Sequence, residues 1–184
     1  MSKKVIVGIT GSSATILGVR ALEELKKAGA ETHLIITKAG KDILEDETDY
    51  KVKDVEKLAT KVYKIDDLFA PISSGSFKTD GMLIAPCSMK TLAGIASGYT
   101  DNLLLRAADV VLKERRKLIL LTREMPLSYI HIKNMKTVTT AGAVVIPPVL
   151  TFYSKPKTIE DMVKHVVGKA LDHLGIDTGY KRWN

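Results

Sequence analysis

Asp80-Gly81-Met82-Leu83-Ile84-Ala85-Pro86-Cys87-Ser88-Met89-Lys90-Thr91 decides how this chain folds. An unbroken apolar run enters a Pro-Cys turn and leaves it as a helix that opens on Ser88, with Thr91 three residues on. Continuous rather than alternating apolar residues mark a strand covered on both faces. Unpaired N–H groups and short hydroxyl side chains at the helix start that follows make a phosphate cradle. A second cradle of the same kind, Gly8-Ile9-Thr10-Gly11-Ser12-Ser13, follows the first apolar run. Two anion sites at strand ends imply a phosphorylated ligand between them.

The same strand signal recurs at Val5-Ile6-Val7, Leu34-Ile35-Ile36, Leu118-Ile119-Leu120-Leu121 and Val144-Val145-Ile146, which gives five strands. Helical patterns separate them. Thr15 to Ala28 aligns Ile16, Val19, Leu22 and Leu25, and Gly29 stops it. Further helices are expected from Ser88 to Ala96, Leu103 to Arg116, Leu127 to Thr139 and Ile159 to Leu174, the last capped by Thr158 and ended by Gly175. Strand and helix in alternation predict an α/β fold: a doubly wound, mainly parallel, Rossmann- or flavodoxin-like sheet with helices on both faces. Ligands of such sheets bind outside the carboxyl ends of the strands, where the two cradles, Thr37, Arg123-Glu124 and Pro147-Pro148 fall. No repeat or linker divides the chain, so one domain over residues 1–184 is expected, with a tail (176–184) that crosses onto a neighbouring subunit.

The chain has 184 residues, 45% hydrophobic and 27% charged, with a net charge of +7. No apolar run reaches the ~18 residues needed to span a bilayer, and the amino terminus lacks a signal-peptide core. A cytoplasmic protein is expected. The cations are dispersed and not interleaved with aromatics, which reads as solvated helix ends rather than a nucleic-acid stripe and suits an enzyme of phosphorylated ligands. Cys87 is the single cysteine, so no intrachain disulfide forms; it reads first as a buried small residue and second as a thiol activated by a helix start. His33, His131, His165 and His173 show no metal-ligand spacing, and no metal is expected.

Several motifs read two ways. G-x-G-x-x-G and Gly-Lys-Ser/Thr are absent, so Gly11-Ser12-Ser13 is either a mononucleotide turn or a plain turn with Ser12 or Ser13 as helix cap. Arg106, Asp109 and Lys113 share a helical stripe, most simply a surface ion-pair row. Arg123-Glu124 follows a buried strand directly and either faces the ligand crevice as a functional pair or forms a structural ion pair. Ser73-Ser74-Gly75-Ser76-Phe77 either lines a ligand or merely connects.

Together, Ser73–Phe77, Ala85–Thr91, Asp101–Val110, Leu112–Arg116, Arg123–Leu127 and Phe152-Tyr153 resemble, in order and over most of the chain, the flavin prenyltransferases of the UbiX/Pad type, within the homo-oligomeric flavin-containing cysteine decarboxylase-like proteins. The resemblance implies alkylation of reduced FMN at N5 and C6 by dimethylallyl phosphate, without metal, with prenylated FMN passed to a UbiD-type decarboxylase. It implies a trimer-based homo-oligomer, commonly a dodecamer, whose interface completes the flavin site. It places Gly11, Ser12, Ser13, Thr37, Ser88, Met89, Lys90, Thr91 and Arg123 on FMN. It places Lys113, Arg123, Tyr153 and Lys169 around the prenyl phosphate, and Trp183 near the prenyl pocket. Ser13, Glu47 and Glu124 are implicated in proton handling, and the catalytic set is Ser13, Glu47, Lys113, Arg123, Glu124 and Tyr153. Two positions depart from the pattern: Ala14 stands where the first turn usually has glycine, and Leu150 replaces the second proline of Pro-x-Pro. A flavin-dependent cysteine decarboxylase is an alternative, but the chain lacks that branch's Pro-x-Met-Asn-x-x-Met-Trp segment. A non-catalytic flavin carrier is the other.

Overall fold

The computed structural model describes residues 2–183. Six parallel strands stand in the order β3-β2-β1-β4-β5-β6: β1 (Lys4–Ile9), β2 (Glu31–Ile36), β3 (Lys61–Tyr63), β4 (Gly81–Cys87), β5 (Lys117–Thr122) and β6 (Val144–Val145). Between and after them run α1 (Ile16–Lys27), α2 (Lys38–Glu47), α3 (Val52–Glu56), α4 (Met89–Ser97), α5 (Leu103–Lys113), α6 (Tyr129–Thr140) and α7 (Ile159–Asp172). The doubly wound α/β fold expected from the apolar runs is the fold observed. The chain winds outward from β1 to β3, then crosses to β4 and winds the other way. The point of reversal therefore lies between the carboxyl ends of β1 and β4, where such sheets bind ligands.

Residues of successive parity face opposite layers. Val5, Val7 and Ile9 join Leu22, Leu25 and Leu171 of α1 and α7 in one core. Ile6, Met82 and Ile84 join Leu92, Leu104 and Val111 of α4 and α5 in the other. Helix α1 lies so close to the sheet that a Cβ at Gly18 would stand 2.4 Å from the Ala85 carbonyl oxygen. That contact needs a glycine.

The sequence expectation of five strands is one short. Strand β3 pairs beside β2 at the sheet edge through His33, Leu34 and Ile35. Its three residues include Lys61 and only one aliphatic, so no apolar run announces it. Strand β6 ends at Val145, one residue earlier than expected. Neither Ser12 nor Ser13 caps α1: the cap position is Thr15, whose side chain makes no capping bond. Thr158 does cap α7, in a reciprocal box with Asp161, and Gly175 follows it at φ 72°.

Candidate functional site

Three hydroxyl contacts tie the carboxyl ends of the central strands together. The buried Thr10 hydroxyl donates to the Pro86 carbonyl at 2.8 Å and accepts the Ser88 N–H at 2.8 Å. Ser12 Oγ donates to the Arg123 carbonyl at 3.0 Å. The turns after β1, β4 and β5 are thus fixed as a unit, with the Arg123 N–H donating to the Cys87 carbonyl at 3.2 Å.

Above them opens a crevice of ≈ 610 Å³, within the roughly 300–1,000 Å³ of ligand clefts. Helix starts converge on it. Thr37 caps α2 by accepting the Gly40 N–H at 3.0 Å, Ser88 caps α4 by accepting the Thr91 N–H at 3.3 Å, and Asn102 caps α5 by accepting the Leu105 N–H at 3.1 Å. The first N–H groups of each helix have no intrahelical acceptor, and the helix dipoles add positive potential at the same place. A phosphate monoester is what such a place binds best. Gly11 allows the first turn to reach it, because a Cβ there would stand 2.4 Å from the Cβ of Ala39. Met89, Ile65, Leu104 and Leu105 give the crevice an apolar wall suited to a flat ring. These residues fit FMN: hydroxyl-capped helix starts for the phosphate and an apolar face for the isoalloxazine.

Of the expected site residues, Gly11, Thr37, Ser88, Met89, Lys90, Thr91 and Glu124 line this one crevice. Ser12 is buried beneath it. Ser13, partly buried, adjoins Ala14, whose N–H donates to Glu47 Oε2 at 2.8 Å. Glu47, at the end of α2, therefore reaches across to the turn after β1. Ala14 itself has φ 74°, the left-handed conformation that a glycine would adopt without strain. Thr10, part of the second cradle, also lines the crevice, as do Lys38, Asp42 and Asn102, which were not foreseen. The Asn102 signal was present in the sequence, as a cap residue directly before the Leu103 helix.

Arg123 is tied to the crevice floor through its backbone, but its side chain is not part of the lining, and three further expected residues stand elsewhere in the protomer. Lys113 ends α5, which runs back from the crevice to the amino-terminal edge of the sheet. There its ammonium meets Glu114 at 2.7 Å and lies beside Gly75 of the Ser73–Phe77 loop. At about 3.3 Å per residue the six-residue β5 separates this edge from Arg123 by ~20 Å. Tyr153 and Lys169 lie with the 147–158 loop and α7. Tyr153 forms an edge-on aromatic contact with Trp183 of the tail, centroids 5.2 Å apart. The tail folds along its own α7: Tyr180 covers Gly168, and Arg182 bonds Asp172 at 2.8 Å.

The remaining titratable groups sort themselves by environment. Cys87 is wholly buried and burial pushes its thiol up, away from the thiolate, so the structural reading stands and the activated-thiol reading does not. Arg106 and Asp109 pair at 2.9 Å, as the helical stripe predicted, while Lys113 turns to Glu114 instead. His33 accepts the Tyr63 hydroxyl at Nδ1 and donates from Nε2 to Glu31. Burial nonetheless lowers its pKa, the carboxylate opposing. Among the described residues no group of three or more His, Cys, Asp or Glu is placed to hold a metal ion. No helix among them is long and apolar enough to cross a membrane.

The Flavoprotein family model matches residues 1–171. A flavin prenyltransferase UbiX of Methanocaldococcus jannaschii is 50% identical over 181 residues, covering 98% of each chain. The crystal structure of AnUbiX (PadA1) in complex with FMN and dimethylallyl pyrophosphate superposes with a TM-score of 0.98 at 49% identity, covering 100% of this chain and 98% of that one. A dodecameric FMN-dependent UbiX-like decarboxylase from Escherichia coli O157:H7 superposes at 0.96 with 50% identity, covering 98% of this chain and 99% of the other. A hydroxyl-capped crevice at the sheet's point of reversal, with full-length likeness to chains of one kind, places the chain in the Flavoprotein family, among the UbiX-type flavin prenyltransferases.

Proposed function

We propose that this protein transfers a dimethylallyl group from dimethylallyl phosphate to N5 and C6 of reduced FMN, and that its product serves a UbiD-type decarboxylase. The observation that carries the reading is the single crevice on which α2, α4 and α5 direct their starts beside an apolar wall, at the place where a flavin mononucleotide's phosphate and ring would lie. Reduced flavin supplies an electron-rich ring that captures an allyl cation, a cation–π situation.

The chain's own residues do the rest. Thr37, Ser88, Lys90 and Thr91, with the turn Gly11-Ser12-Ser13, hold the flavin phosphate and fix the ring against Met89 and Leu105. Arg123, Tyr153 and Lys169, joined by Lys113 of a neighbouring copy, neutralise the departing phosphate with fixed cations and a phenol hydroxyl, which removes the need for a metal. Glu47, anchored on the Ala14 N–H beside Ser13, and Glu124 at the crevice mouth handle the proton lost from C6. Sharing between copies is supported by the position of Lys113 at the far edge of its own sheet. It is supported also by an apolar strip of Met125, Tyr129, Ile130, Ile132, Val149, Leu150 and Phe152, each more than half exposed. The oligomer is trimer-based and dodecameric, the protomer one flavoprotein domain over residues 1–184, and its compartment the cytoplasm.

Anaerobic incubation of the protein with reduced FMN and dimethylallyl phosphate or diphosphate, followed by mass spectrometry of the flavin, tests the reading. A gain of one C5H8 unit is expected; unchanged flavin mass with both donors overturns it and leaves a carrier.

A further inference from the structure

One buried titratable group has no part in the chemistry above. His165, in the middle of α7, is 8% exposed. Its Nε2 lies 3.1 Å from Tyr153 Oη, and the ring sits edge-on between Tyr153 and Tyr180, centroids 5.3 and 5.4 Å away. Its Nδ1 is buried and has no hydrogen-bond partner among the described residues. Every other imidazole nitrogen with a buried surrounding, those of His33, is satisfied.

The two neutral tautomers differ in what they leave unmet. With the proton on Nδ1, a buried N–H has no acceptor, and Nε2 takes the only proton Tyr153 has to give. With the proton on Nε2, that N–H is satisfied by Tyr153 Oη, and only a lone pair on Nδ1 is unmet. An orphaned buried N–H is much the rarer and costlier defect. The imidazolium is disfavoured as well. Burial is the larger cause and Lys169 on its own helix adds to it, while Lys164 of the helix, Lys155 and Lys157 of the preceding loop and Lys181 of the tail line the same recess as the ring. The nearby carboxylate, Asp161, is engaged by the Lys157 and Thr158 N–H groups.

We propose that His165 is a positioning residue whose Nε2–H donates to Tyr153 Oη and so frees the phenol's own proton for an anion in the adjoining recess. That recess, ≈ 440 Å³, is lined by Tyr153, Tyr180, Lys181, Arg182 and Trp183. Arg182 is taken up by Asp172 and Asp177, which leaves Lys181 as the cation beside a phenol that accepts from behind and donates forward, a pair that recognises a phosphate oxygen. The inference rests on the reading of Tyr153 as a phosphate contact, but its first test does not.

Long-range proton–nitrogen correlation of protein labelled with 15N-histidine reads the tautomer at neutral pH without any turnover. A protonated Nε2 and an unprotonated Nδ1 at His165 are expected; the opposite tautomer, or two protonated nitrogens, overturns the proposal. Substitution adds the functional arm. His165→Gln keeps an N–H donor within reach of Tyr153, whereas His165→Phe keeps the ring and loses the donor. With dimethylallyl phosphate, kcat is expected to fall about tenfold in His165→Phe and to recover to within about threefold in His165→Gln. Equal losses in the two variants, with folding and FMN binding intact, overturn the positioning role. If the wild type prenylates no flavin, titration with inorganic phosphate replaces turnover: several-fold weaker binding by the Phe variant than by the Gln variant supports the proposal, and equal binding overturns it.

Discussion

Replacing Thr10 by valine removes one oxygen atom and keeps the shape. That oxygen is 1% exposed at the residue level and makes two bonds of 2.8 Å, one to the Pro86 carbonyl and one from the Ser88 N–H. Valine leaves the Ser88 N–H without its partner and strips one of two donors from the Pro86 carbonyl; an unmet buried group costs about 1–3 kcal/mol. The Pro86 carbonyl also accepts the Thr10 N–H at 3.3 Å, and Ser88 borders the crevice where water enters. The Ser88 N–H therefore costs about 1–2 kcal/mol and the second bond to the Pro86 carbonyl about 0.5–1.5 kcal/mol, a loss of about 1.5–3.5 kcal/mol in all. Because this hydroxyl also fixes the start of α4 on β1, FMN affinity should fall about tenfold, the equivalent of ~1.4 kcal/mol. Urea unfolding of wild type, Thr10→Val and Thr10→Ser at one protomer concentration, with FMN titration of each, measures both quantities. The serine variant retains the hydroxyl and should lie within about 1 kcal/mol of wild type, the cost of a lost methyl. A valine variant within 0.5 kcal/mol of wild type, or one that binds FMN equally well, refutes the claim that the strand ends are held by this oxygen.

Glu47→Gln keeps an acceptor for the Ala14 N–H, so the fold and bound FMN should survive while prenyl transfer slows by on the order of 10²-fold; undiminished turnover removes Glu47 from the proton step. Ala14→Gly relieves a left-handed backbone that costs about 1–2 kcal/mol and gives back part of it in chain entropy, a net gain of roughly 0.5–1 kcal/mol; a lower unfolding midpoint contradicts this. His33 has its pKa lowered in the fold, chiefly by burial, so the unfolded chain binds the more protons between that lowered value and the ordinary ~6.5. The contribution of His33 is complete above about pH 6.5 and is lost as pH falls through the folded value; His33→Phe should flatten the stability profile in that window, and an unchanged slope rejects the assignment.

The sheet was legible because β1, β2, β4 and β5 are each a run of consecutive apolar residues, which only a strand covered on both faces needs. Strand β3 was not, since an edge strand of Lys61, Val62 and Tyr63 buries too little to leave a pattern. The cradles were legible from Ser88, Thr91, Gly11 and Thr37, because capping chemistry is local. What the sequence does not carry is distance. Glu47 and Ala14 are 33 positions apart and their contact depends on how α2 returns to β1. Lys113 follows Asp109 by one helical turn, yet its partner is Glu114, since α5 ends there and the Ser73–Phe77 loop closes over it. His165 looked like any other satisfied histidine; its unmet nitrogen appears only when Tyr180 and Tyr153 are folded onto it.

The lone cysteine gives the molecule a built-in clock. Cys87 closes β4 in the middle of the sheet, wholly buried, and no other sulfhydryl competes with it. A maleimide or disulfide reagent added to the intact protein therefore reacts only when the packing of α4 and α5 on the sheet opens over Cys87, so the modification rate counts openings of that layer. Added flavin should slow that count in proportion to its occupancy, which turns a chemical label into a measure of ligand binding that needs neither colour nor turnover.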